Sequence, residues 1–511
     1  MLGPAKPRRL DEPITISLED FVPPDHFYRH LEAKLDLSFV RDWVREFYAE
    51  RGRPSIDPVV FFKLQLVMFF EGIRSERQLM RVATDRLSLR WYLGYDLHEA
   101  LPDHSSLTKI RDRYGVTIFR HFFDRIVEQC QQAGLVWGTE LYLDSTQVEA
   151  NAAKETMLPR FYVDALNEHV AALFPEIATS AEDKPASPEP SPIHLPVELP
   201  SEVEAELATK HAARHNWITE LGQPDRSVTR WHYQRKSDVW INTTDPDATL
   251  MHKKGGGSTM GYHTHYAVDG GKARIILTAL VTPSDVMDNQ PMLDLLWHSR
   301  FRWHLPLTQV TGDTRYGTTE NIAALERAGI RAYVPLPDFD KRTPCFGKQA
   351  FTYEAHADRY HCPAGTVLLR HTAKYIERVV IYQADATTCN ACPMKAKCTE
   401  SDHGRMITRS VDERYLERVR SYHTTDPYTK AMRKRQVWVE PLFAEAKAWH
   451  GLGRFRLRTL LKVNMQSLLI ATGQNLKRLL SWWGWGQRGW PSGAAGLRIT
   501  GATPFFRPVT V

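Results

Sequence analysis

The hydrophobic pattern is helical in the first part of the chain and includes strands from about residue 139. Over residues 25–135 apolar side chains recur at helical spacing, and the stretch SIDPVVFFKLQLVMFFEGI is apolar on more than one face, as a buried helix is. Asp57 and Pro58 stand near the start of this stretch, where an N-cap and a first helical residue are expected. The pattern therefore predicts a small helical bundle with this segment at its centre.

Shorter helices joined by polar turns are predicted in RSERQLMRVATDRLSLRWYLGY and LPDHSSLTKIRDRYGVTIFRHFFDRIVEQCQQAG. Ser75, and either Asp103 or Ser105, are the expected N-caps. Arginine and lysine residues are spaced along the outward faces of these helices. This arrangement is typical of a helix-turn-helix that contacts DNA, and equally of a bundle with a solvated basic face, so the pattern leaves both interpretations open.

From residue 139 the pattern is that of β-strands, in TELYLDSTQV, GYHTHYAVDGG, KARIILTALVTPSD, LTQVTGDTRYG and IRAYVPLP. Helical patterns follow the third and the fourth of these strands. Strands that first run as neighbours and then alternate with helices favour a mixed sheet covered by helices. The predicted fold class is therefore α/β.

Two insertions interrupt the predicted sheet. The first covers about 152–250 and contains residues 185–200, where six of sixteen residues are proline, so we expect an extended or disordered surface linker there. The second covers about 340–425 and carries five of the six cysteines.

Composition narrows the class of protein. A chain of 511 residues with 42% hydrophobic content can bury a large core. It has no run of about eighteen apolar residues and no early apolar stretch of the kind that a signal peptide needs, so we expect a cytoplasmic protein with no membrane partner. The formal net charge of +6 is small for this length, so the positions of the basic residues are more informative than their sum.

Carboxylates stand at the ends of two predicted strands. Asp144 follows the run ELYL, and Asp313 follows LTQVTG. A third carboxylate, Glu440, lies in a predicted helix with Lys447 two turns further along the same face. Sites in open α/β sheets form at the carboxyl edge of the strands, so we expect the three carboxylates to meet there. The alternatives are a turn or cap role for each aspartate and a solvated pair for Glu440 and Lys447.

Three carboxylates that meet at one edge would repel each other unless a cation neutralised them. Magnesium prefers oxygen ligands, and two such ions can promote an in-line phosphoryl transfer. We therefore predict a site with two Mg²⁺ or Mn²⁺ ions on Asp144, Asp313 and Glu440.

The cysteines predict a second metal site. Cys362, Cys389, Cys392 and Cys398 include a Cys-x2-Cys pair and could supply four thiolates to one tetrahedral, structural Zn²⁺. The insertion has few long apolar runs, so a metal would help it to fold. The alternatives are an iron–sulfur cluster and a set of unconnected thiols, with Cys345 as a spectator or alternative ligand.

Basic residues bracket Glu440 in the sequence. Nucleic-acid phosphates are the natural partner of such a patch, and a solvated basic face is the alternative. The residues that we predict to bind DNA are Lys253, Lys254, Arg433, Arg435, Arg454, Arg456, Arg458 and Lys462.

Taken in order, these motifs resemble the DDE transposases of bacterial insertion sequences. LYLDSTQVEANAAK, VTGDTRYG and VEPLFAEAKAWHGLGRFRLRTLLKV look like the blocks of that family's catalytic core, and RGRPSIDPVVFFKLQLVMFFEGIRSERQLM looks like the helical domain before it. The resemblance covers most of the chain. It implies an RNase H-like mixed sheet flanked by helices, preceded by an all-helical N-terminal domain and interrupted by the small zinc-binding insertion.

The resemblance also implies a function. The protein would bind the ends of an insertion sequence in double-stranded DNA, cleave strands there and transfer them to a target, as a homodimer or a larger assembly that holds both ends. Asp144 and Asp313 would bind metal, Glu440 would be the third ligand, and Lys447 would lie near the phosphates. The alternatives are an RNase H-like nuclease without strand transfer and a catalytically inert DNA-binding protein derived from a transposase.

The chain departs from the family pattern just before Glu440, where the family has a tyrosine and an arginine. Gln436 occupies the expected arginine position, and Arg433 and Arg435 lie beside it. Glu445 is the rival third carboxylate, although it lacks the spacing to Lys447.

The predicted domains follow from these blocks. In chain order they are a helical, DNA-binding domain (1–138), the first part of the catalytic core (139–339), the cysteine insertion (340–425), the last part of the core (426–480) and a tail (481–511).

Overall fold

A computed structural model describes residues 15–486, apart from 16, 50, 52–54, 161–162, 165, 169–239, 254 and 339–343. The proline-rich segment 185–200 and the predicted DNA contact Lys254 lie outside the described residues. The chain divides into two compact units. One contains Met1–Ala133, Val148–Tyr262 and Glu445–Val511, and the other contains Gly134–Gln147 and His263–Ala444.

The described residues contain 15 helices and 13 strands. The helices are α1 (Leu18–Phe21), α2 (Phe27–Lys34), α3 (Phe39–Val44), α4 (Pro58–Phe70), α5 (Glu76–Asp85), α6 (Leu87–Leu93), α7 (His104–Gln132), α8 (Met292–Arg302), α9 (Thr319–Arg327), α10 (Ala386–Asn390), α11 (Lys395–Cys398), α12 (Glu413–Tyr422), α13 (Asp426–Trp438), α14 (Glu440–Trp449) and α15 (Leu460–Trp482). The strands are β1 (Glu140–Glu149), β2 (Met157–Pro159), β3 (Trp240–Asn242), β4 (Thr249–His252), β5 (Ser258–Asp269), β6 (Ile276–Pro283), β7 (Gln309–Thr311), β8 (Arg331–Tyr333), β9 (Thr352–Glu354), β10 (Arg359–His361), β11 (Val367–Lys374), β12 (Val379–Ala384) and β13 (Met406–Ser410). None of the helices in the described part of the chain has the length and apolar character needed to span a membrane.

The first unit is mainly helical, and α4 confirms the predicted buried helix. Ten of its 13 residues are buried, Pro58 is its first residue, and the Asp57 side chain accepts a hydrogen bond from the Val59 N–H at 2.8 Å. Ser75 and Asp103 cap α5 and α7 in the same way. The predicted bundle and its helix starts are therefore correct at these positions.

The last described helix packs within the same unit. α15 lies against α7 and α4. Gly473 of α15 faces the ring of Phe69 so closely that a side chain there would overlap the ring. The sequence grouped residues 426–480 with the catalytic core, whereas in the structure the chain from Glu445 onward belongs to the helical unit.

The main sheet runs in the order β6, β5, β1, β7, β8, with β4 beside the first half of β5. A short loop joins β5 to β6, and the Asp269 N–H donates to the Ile275 carbonyl at 2.9 Å across its ends. β1 pairs in parallel with β7, and β7 in parallel with β8. This arrangement confirms the predicted mixed α/β architecture.

The cysteine insertion has a sheet of its own. Its five strands follow the order β13, β12, β11, β10, β9, and every neighbouring pair is antiparallel. Its core consists of Phe351, Tyr360, Leu368, Tyr382, Ala384 and Ile407. Because this core is made of single side chains on short strands, the sequence pattern did not predict it. The insertion thus has a source of stability besides any metal.

Candidate functional site

Asp144 and Asp313 lie close together, just beyond the point where the pairing of β1 with β7 ends. Asp313 follows β7 as predicted, whereas Asp144 is inside β1, which continues to Glu149, and not at the end of its strand. Tyr142 of β1 is opposite Thr311 of β7, and each aspartate follows its member of this pair by two residues. Gly312, just before Asp313, leaves no room for a side chain, because a Cβ there would lie 2.8 Å from the ring of Tyr316. The parallel register therefore brings the two predicted carboxylates to one place.

Asp144 is a buried carboxylate with 9% of the residue exposed. Its Oδ2 accepts a hydrogen bond from Nη1 of Arg435 at 2.9 Å, and its Oδ1 accepts one from the Ser145 N–H at 2.9 Å. Burial raises the pKa of Asp144 to about 6; Arg435 and the Ser145 N–H act to lower this pKa, and the charges of Asp313 and Glu440 act to raise it. Asp144 thus lies within electrostatic range of both other predicted site carboxylates.

Asp313 has a local structural role as well. It caps the short helical turn Thr314–Tyr316, and its Oδ1 accepts a hydrogen bond from the Arg315 N–H at 2.9 Å. The cap role was the alternative interpretation of this residue, and it does not compete with a role at the site, because a carboxylate has further lone pairs to offer.

Glu440 begins α14, and its side chain is 55% exposed. Its Oε1 lies 3.6 Å from Nη2 of Arg435, so one guanidinium pairs with both Glu440 and Asp144. Lys434, the residue before Arg435, pairs with Glu140 at 2.6 Å and lies over the ring of Trp438. α13 thus places a cation where two of the three carboxylates face each other.

The donor set suits a hard divalent cation. Asp144, Asp313 and Glu440 supply only oxygen, which Mg²⁺ and Mn²⁺ prefer. The guanidinium of Arg435 shows that two of these carboxylates, Asp144 and Glu440, already bind a positive charge. As the described side chains are placed, no three His, Cys, Asp or Glu residues come close enough together to enclose a metal ion.

A fourth acidic residue, Asp288, lies beside the two aspartates, and the sequence did not identify it. Its side chain is 3% exposed and pairs with Arg315 and, at 3.2 Å, with Nδ1 of His263. Ser145 also donates a hydrogen bond to it. Asp288 follows the end of β6 in SDVMDNQ, where an aspartate is expected to serve a local turn, so nothing in the sequence pattern indicated its long-range partners.

Tyr316 completes the buried surroundings of the two aspartates. The residue is 1% exposed and its hydroxyl shares a hydrogen bond with the Ser145 side chain. Burial, followed by the charges of Asp144, Asp288 and Asp313, raises the pKa of Tyr316 well above its usual value. The phenol therefore stays protonated and can serve as a neutral donor beside the carboxylates.

The rival carboxylate Glu445 belongs to the other unit and has partners there. It pairs with Lys477, and its Oε2 accepts a hydrogen bond from Gln474 at 3.2 Å and lies 3.7 Å from Arg478. These contacts give Glu445 a structural role and favour Glu440 as the third site carboxylate. Lys447 is half-buried on the same helix, α14.

The basic residues predicted to bind DNA fall into two groups. Lys253, Arg433, Arg454 and Arg458 are exposed. Lys253 also pairs with Glu149 at 2.6 Å, and Arg454 and Arg458 donate hydrogen bonds to the carbonyls of Ala150 and Asn151. Others are engaged within the protein, since Arg456 pairs with Glu76 at 2.9 Å and Lys462 with Asp112 at 2.9 Å, while Arg435 is held at the carboxylates. The exposed group is the better candidate for phosphate contacts.

The four cysteines predicted to bind zinc converge on one small cavity. Cys362, Cys389, Cys392 and Cys398 all line it, together with Arg405 and apolar side chains. Burial raises the pKa of the Cys398 thiol, with Arg405 acting against this shift and the other three cysteines adding to it. The four thiols therefore line one cavity, but among the described residues no three of them come close enough together to enclose a metal ion.

Comparison with known proteins gives two family matches. Residues 16–113 match the family model described as Transposase domain (DUF772), and residues 361–480 match the model described as Transposase DDE domain. The second match includes Glu440, Lys447 and the four cysteines of the cavity, whereas Asp144 and Asp313 lie outside both matches. Searches of curated proteins and of solved structures give no match.

Proposed function

This chain belongs to the DDE-type transposases of insertion sequences, and from that premise we propose that it binds the ends of its element, cleaves DNA strands there and joins them to a target. The site would consist of Asp144, Asp313 and Glu440. The observation that carries this proposal is the convergence of Asp144 and Asp313 just beyond the paired residues of β1 and β7, with Glu440 close enough for its charge to raise the pKa of Asp144.

The strand order supports an RNase H-like core. β6, β5 and β1 are neighbours in the sheet and are followed by β7 and β8, which run parallel to β1. Asp313 follows the end of β7, and Asp144 lies within β1, two residues beyond Tyr142, the last residue of β1 that pairs with β7.

Asp144, Asp313 and Glu440 would hold two Mg²⁺ or Mn²⁺ ions. The ions would supply the charge neutralisation and positioning that an in-line phosphoryl transfer needs. The protein contributes a rigid placement of its carboxylates, since Asp144 and Asp313 are each fixed by a backbone N–H at 2.9 Å. Glu440 is more exposed than Asp144, so it would be the ligand that faces incoming DNA.

Before the divalent ions bind, Arg435 would neutralise part of the negative charge of the site. Its guanidinium pairs with Asp144 and Glu440, so it can reach a DNA phosphate only after those carboxylates have gained another partner. Lys447, two turns along α14 from Glu440, would contact phosphates directly, as the family resemblance implies.

Double-stranded DNA is the proposed partner. Exposed basic residues occur on both units, with Arg433 on one and Lys253, Arg454 and Arg458 on the other. Phosphate contacts of this kind give an affinity that falls steeply with salt. Because two element ends must be held for joining, we propose at least a homodimer in the complex with DNA.

A structural Zn²⁺ in the cysteine insertion is a separate proposal. The convergence of four thiols on one cavity supports it, because a closed four-thiolate site is the usual structural form of zinc. The insertion also has an apolar core, so the metal would add to its stability and would not be the sole source of its fold.

The test of strand transfer uses pre-cleaved element-end DNA with a free 3′-hydroxyl, supercoiled target DNA and Mg²⁺. The proposal predicts products in which end DNA is covalently attached to target DNA, and no such products when the 3′ end is a dideoxynucleotide. Hydrolysis of both DNAs without joined products would identify a nuclease instead. End binding without any strand breakage would identify an inert DNA-binding protein.

A further inference from the structure

Asp288 is a buried acidic side chain with an unusual set of partners. It lies between β6 and α8 with 3% of its side chain exposed. Burial acts to raise its pKa, but hydrogen bonds from Arg315 and Ser145 and the charge of His263 outweigh burial, so the pKa of Asp288 is lower than usual. The residue is therefore a buried carboxylate, and a buried charge is tolerated only when its partners are held in place.

Two of its partners are the residues that fix the site aspartates. The Ser145 N–H donates to Oδ1 of Asp144 at 2.9 Å, while the Ser145 hydroxyl donates to Asp288. The Arg315 N–H donates to Oδ1 of Asp313 at 2.9 Å, while the Arg315 guanidinium donates to Oδ2 of Asp288. Each partner thus binds a site aspartate through its backbone and Asp288 through its side chain.

This double connection links the middle of β1 to the segment that follows β7. Asp144 and Ser145 belong to β1, whereas Asp313 and Arg315 follow β7. The hydrogen bonds within each pair are local, so they do not connect one pair to the other. Asp288 joins them through one carboxylate, and His263 of β5 lies 3.2 Å from its other oxygen. A change at Asp288 would release both connections at once.

We propose that Asp288 is a positioning residue that sets the separation and orientation of Asp144 and Asp313 by holding Ser145 and Arg315. The inference rests on the proposed function of the site, because it assigns Asp288 a role toward the metal ions that the two aspartates would hold. Residues that orient metal ligands without touching the metal typically change metal affinity about tenfold to a hundredfold when substituted.

Asp269 provides a matched control. It belongs to the same unit, is fully buried, and accepts hydrogen bonds from the N–H groups of Trp137, Gly138 and Gly271. A purely structural role would make Asp288→Asn resemble Asp269→Asn, with a lower unfolding temperature and no change in metal affinity.

The experiment measures Mn²⁺ binding to the full-length protein by electron paramagnetic resonance, without DNA, for the wild type, Asp288→Asn, Asp269→Asn and Asp144→Asn. We expect Asp288→Asn to weaken the Asp144-dependent binding by about tenfold or more, with Asp269→Asn at the wild-type value. We also expect strand cleavage by Asp288→Asn to recover in part at high Mn²⁺ concentration. Equal Mn²⁺ affinity of Asp288→Asn and the wild type would overturn the inference.

Two further variants keep the test decisive if Asp288→Asn fails to fold. Arg315→Gln changes a side chain that is 61% exposed, and Ser145→Ala removes a single hydroxyl. In each variant the Asp288 carboxylate keeps its other partners, so the fold should persist. Each should weaken Mn²⁺ binding, and wild-type binding by both would contradict the inference. If Asp144→Asn binds Mn²⁺ as the wild type does, the proposed metal site itself is wrong. If Asp144→Asn loses Mn²⁺ binding and Asp288→Asn does not, only the role of Asp288 is wrong.

Discussion

Nη1 of Arg435 donates a hydrogen bond to Oδ2 of Asp144 at 2.9 Å, although the two residues are 291 positions apart in the chain. Both side chains are largely buried, with 14% and 12% exposed. An ion pair in such a position is difficult to lose, because the remaining partner would be left as a buried, uncompensated charge. The pair therefore indicates that the fold needs a cation beside Asp144 and provides one of its own.

Replacement of Arg435 by glutamine should destabilise the metal-free protein. We expect Arg435→Gln to lose about 3 kcal/mol of unfolding free energy at pH 8, where Asp144 stays charged. The loss should shrink when Mg²⁺ is added. Urea denaturation with a chelator and then with Mg²⁺ measures both values. Arg433→Gln, an exposed arginine on the same helix, is the control, and equal losses for the two variants would contradict this account.

Glu445 should contribute stability that depends on pH. Burial acts to raise its pKa, but His450, Arg478 and Lys477 outweigh burial and hold the pKa of Glu445 well below its usual value. Because the folded-state pKa is depressed, the contribution is complete above the unfolded-state pKa of about 4.3 and is lost as the pH falls below it. Urea midpoints should therefore show Glu445→Gln less stable than the wild type at pH 7, with the difference narrowing below about pH 4.

Glu440 provides the comparison for that experiment. Its side chain is 55% exposed, so Glu440→Gln should keep wild-type stability at both pH values and yet abolish strand cleavage. Glu445→Gln should retain cleavage at temperatures where it is folded. The reverse pattern, with cleavage lost only in Glu445→Gln, would make Glu445 the third site carboxylate.

The exposed arginines should contact DNA phosphates. We expect Arg433→Gln to weaken binding of element-end and unrelated DNA alike, and to reduce the slope of log affinity against log salt by about 1. Arg456→Gln should act differently, because Arg456 pairs with Glu76 inside the protein, and should mainly lower the unfolding temperature. Fluorescence anisotropy across a salt series distinguishes the two, and an unchanged slope for Arg433→Gln would remove that residue from the interface.

Zinc analysis of the purified protein tests the cysteine insertion. We expect about one zinc per chain in the wild type and none in Cys389→Ser, because a closed site needs all four thiolates. Cys345→Ser is the control, since Cys345 is in the same insertion and does not line the cavity of the other four. Zinc-free wild-type protein, purified without chelators, would refute the site.

The sequence predicted those parts of the molecule that depend on local patterns. Asp57 and Pro58 identified the start of α4, and the strands before Asp144 and Asp313 were evident from their apolar runs. The carboxyl-edge rule then placed the two aspartates together without knowledge of the register between β1 and β7.

Long-range side-chain pairing could not be predicted in the same way. Arg435 was assigned to DNA because a run of basic residues surrounds it, and its contact with Asp144 arises only when α13 packs on the sheet. The contacts of Asp288 could not be predicted for the same reason, since its partners Ser145 and Arg315 lie far from it in sequence. The packing of α15 against α4 likewise depends on Gly473 meeting Phe69 from the other end of the chain.

The most direct test of the central claim is Mg²⁺-dependent cleavage of element-end DNA by Asp144→Asn, with end binding measured on the same preparation. We predict a loss of cleavage of about a thousandfold or more, with end affinity kept within about threefold. Asp294→Asn, an exposed aspartate in the first turn of α8, should behave like the wild type in both assays. Cleavage by Asp144→Asn at the wild-type rate would contradict the assignment of Asp144 to the catalytic site.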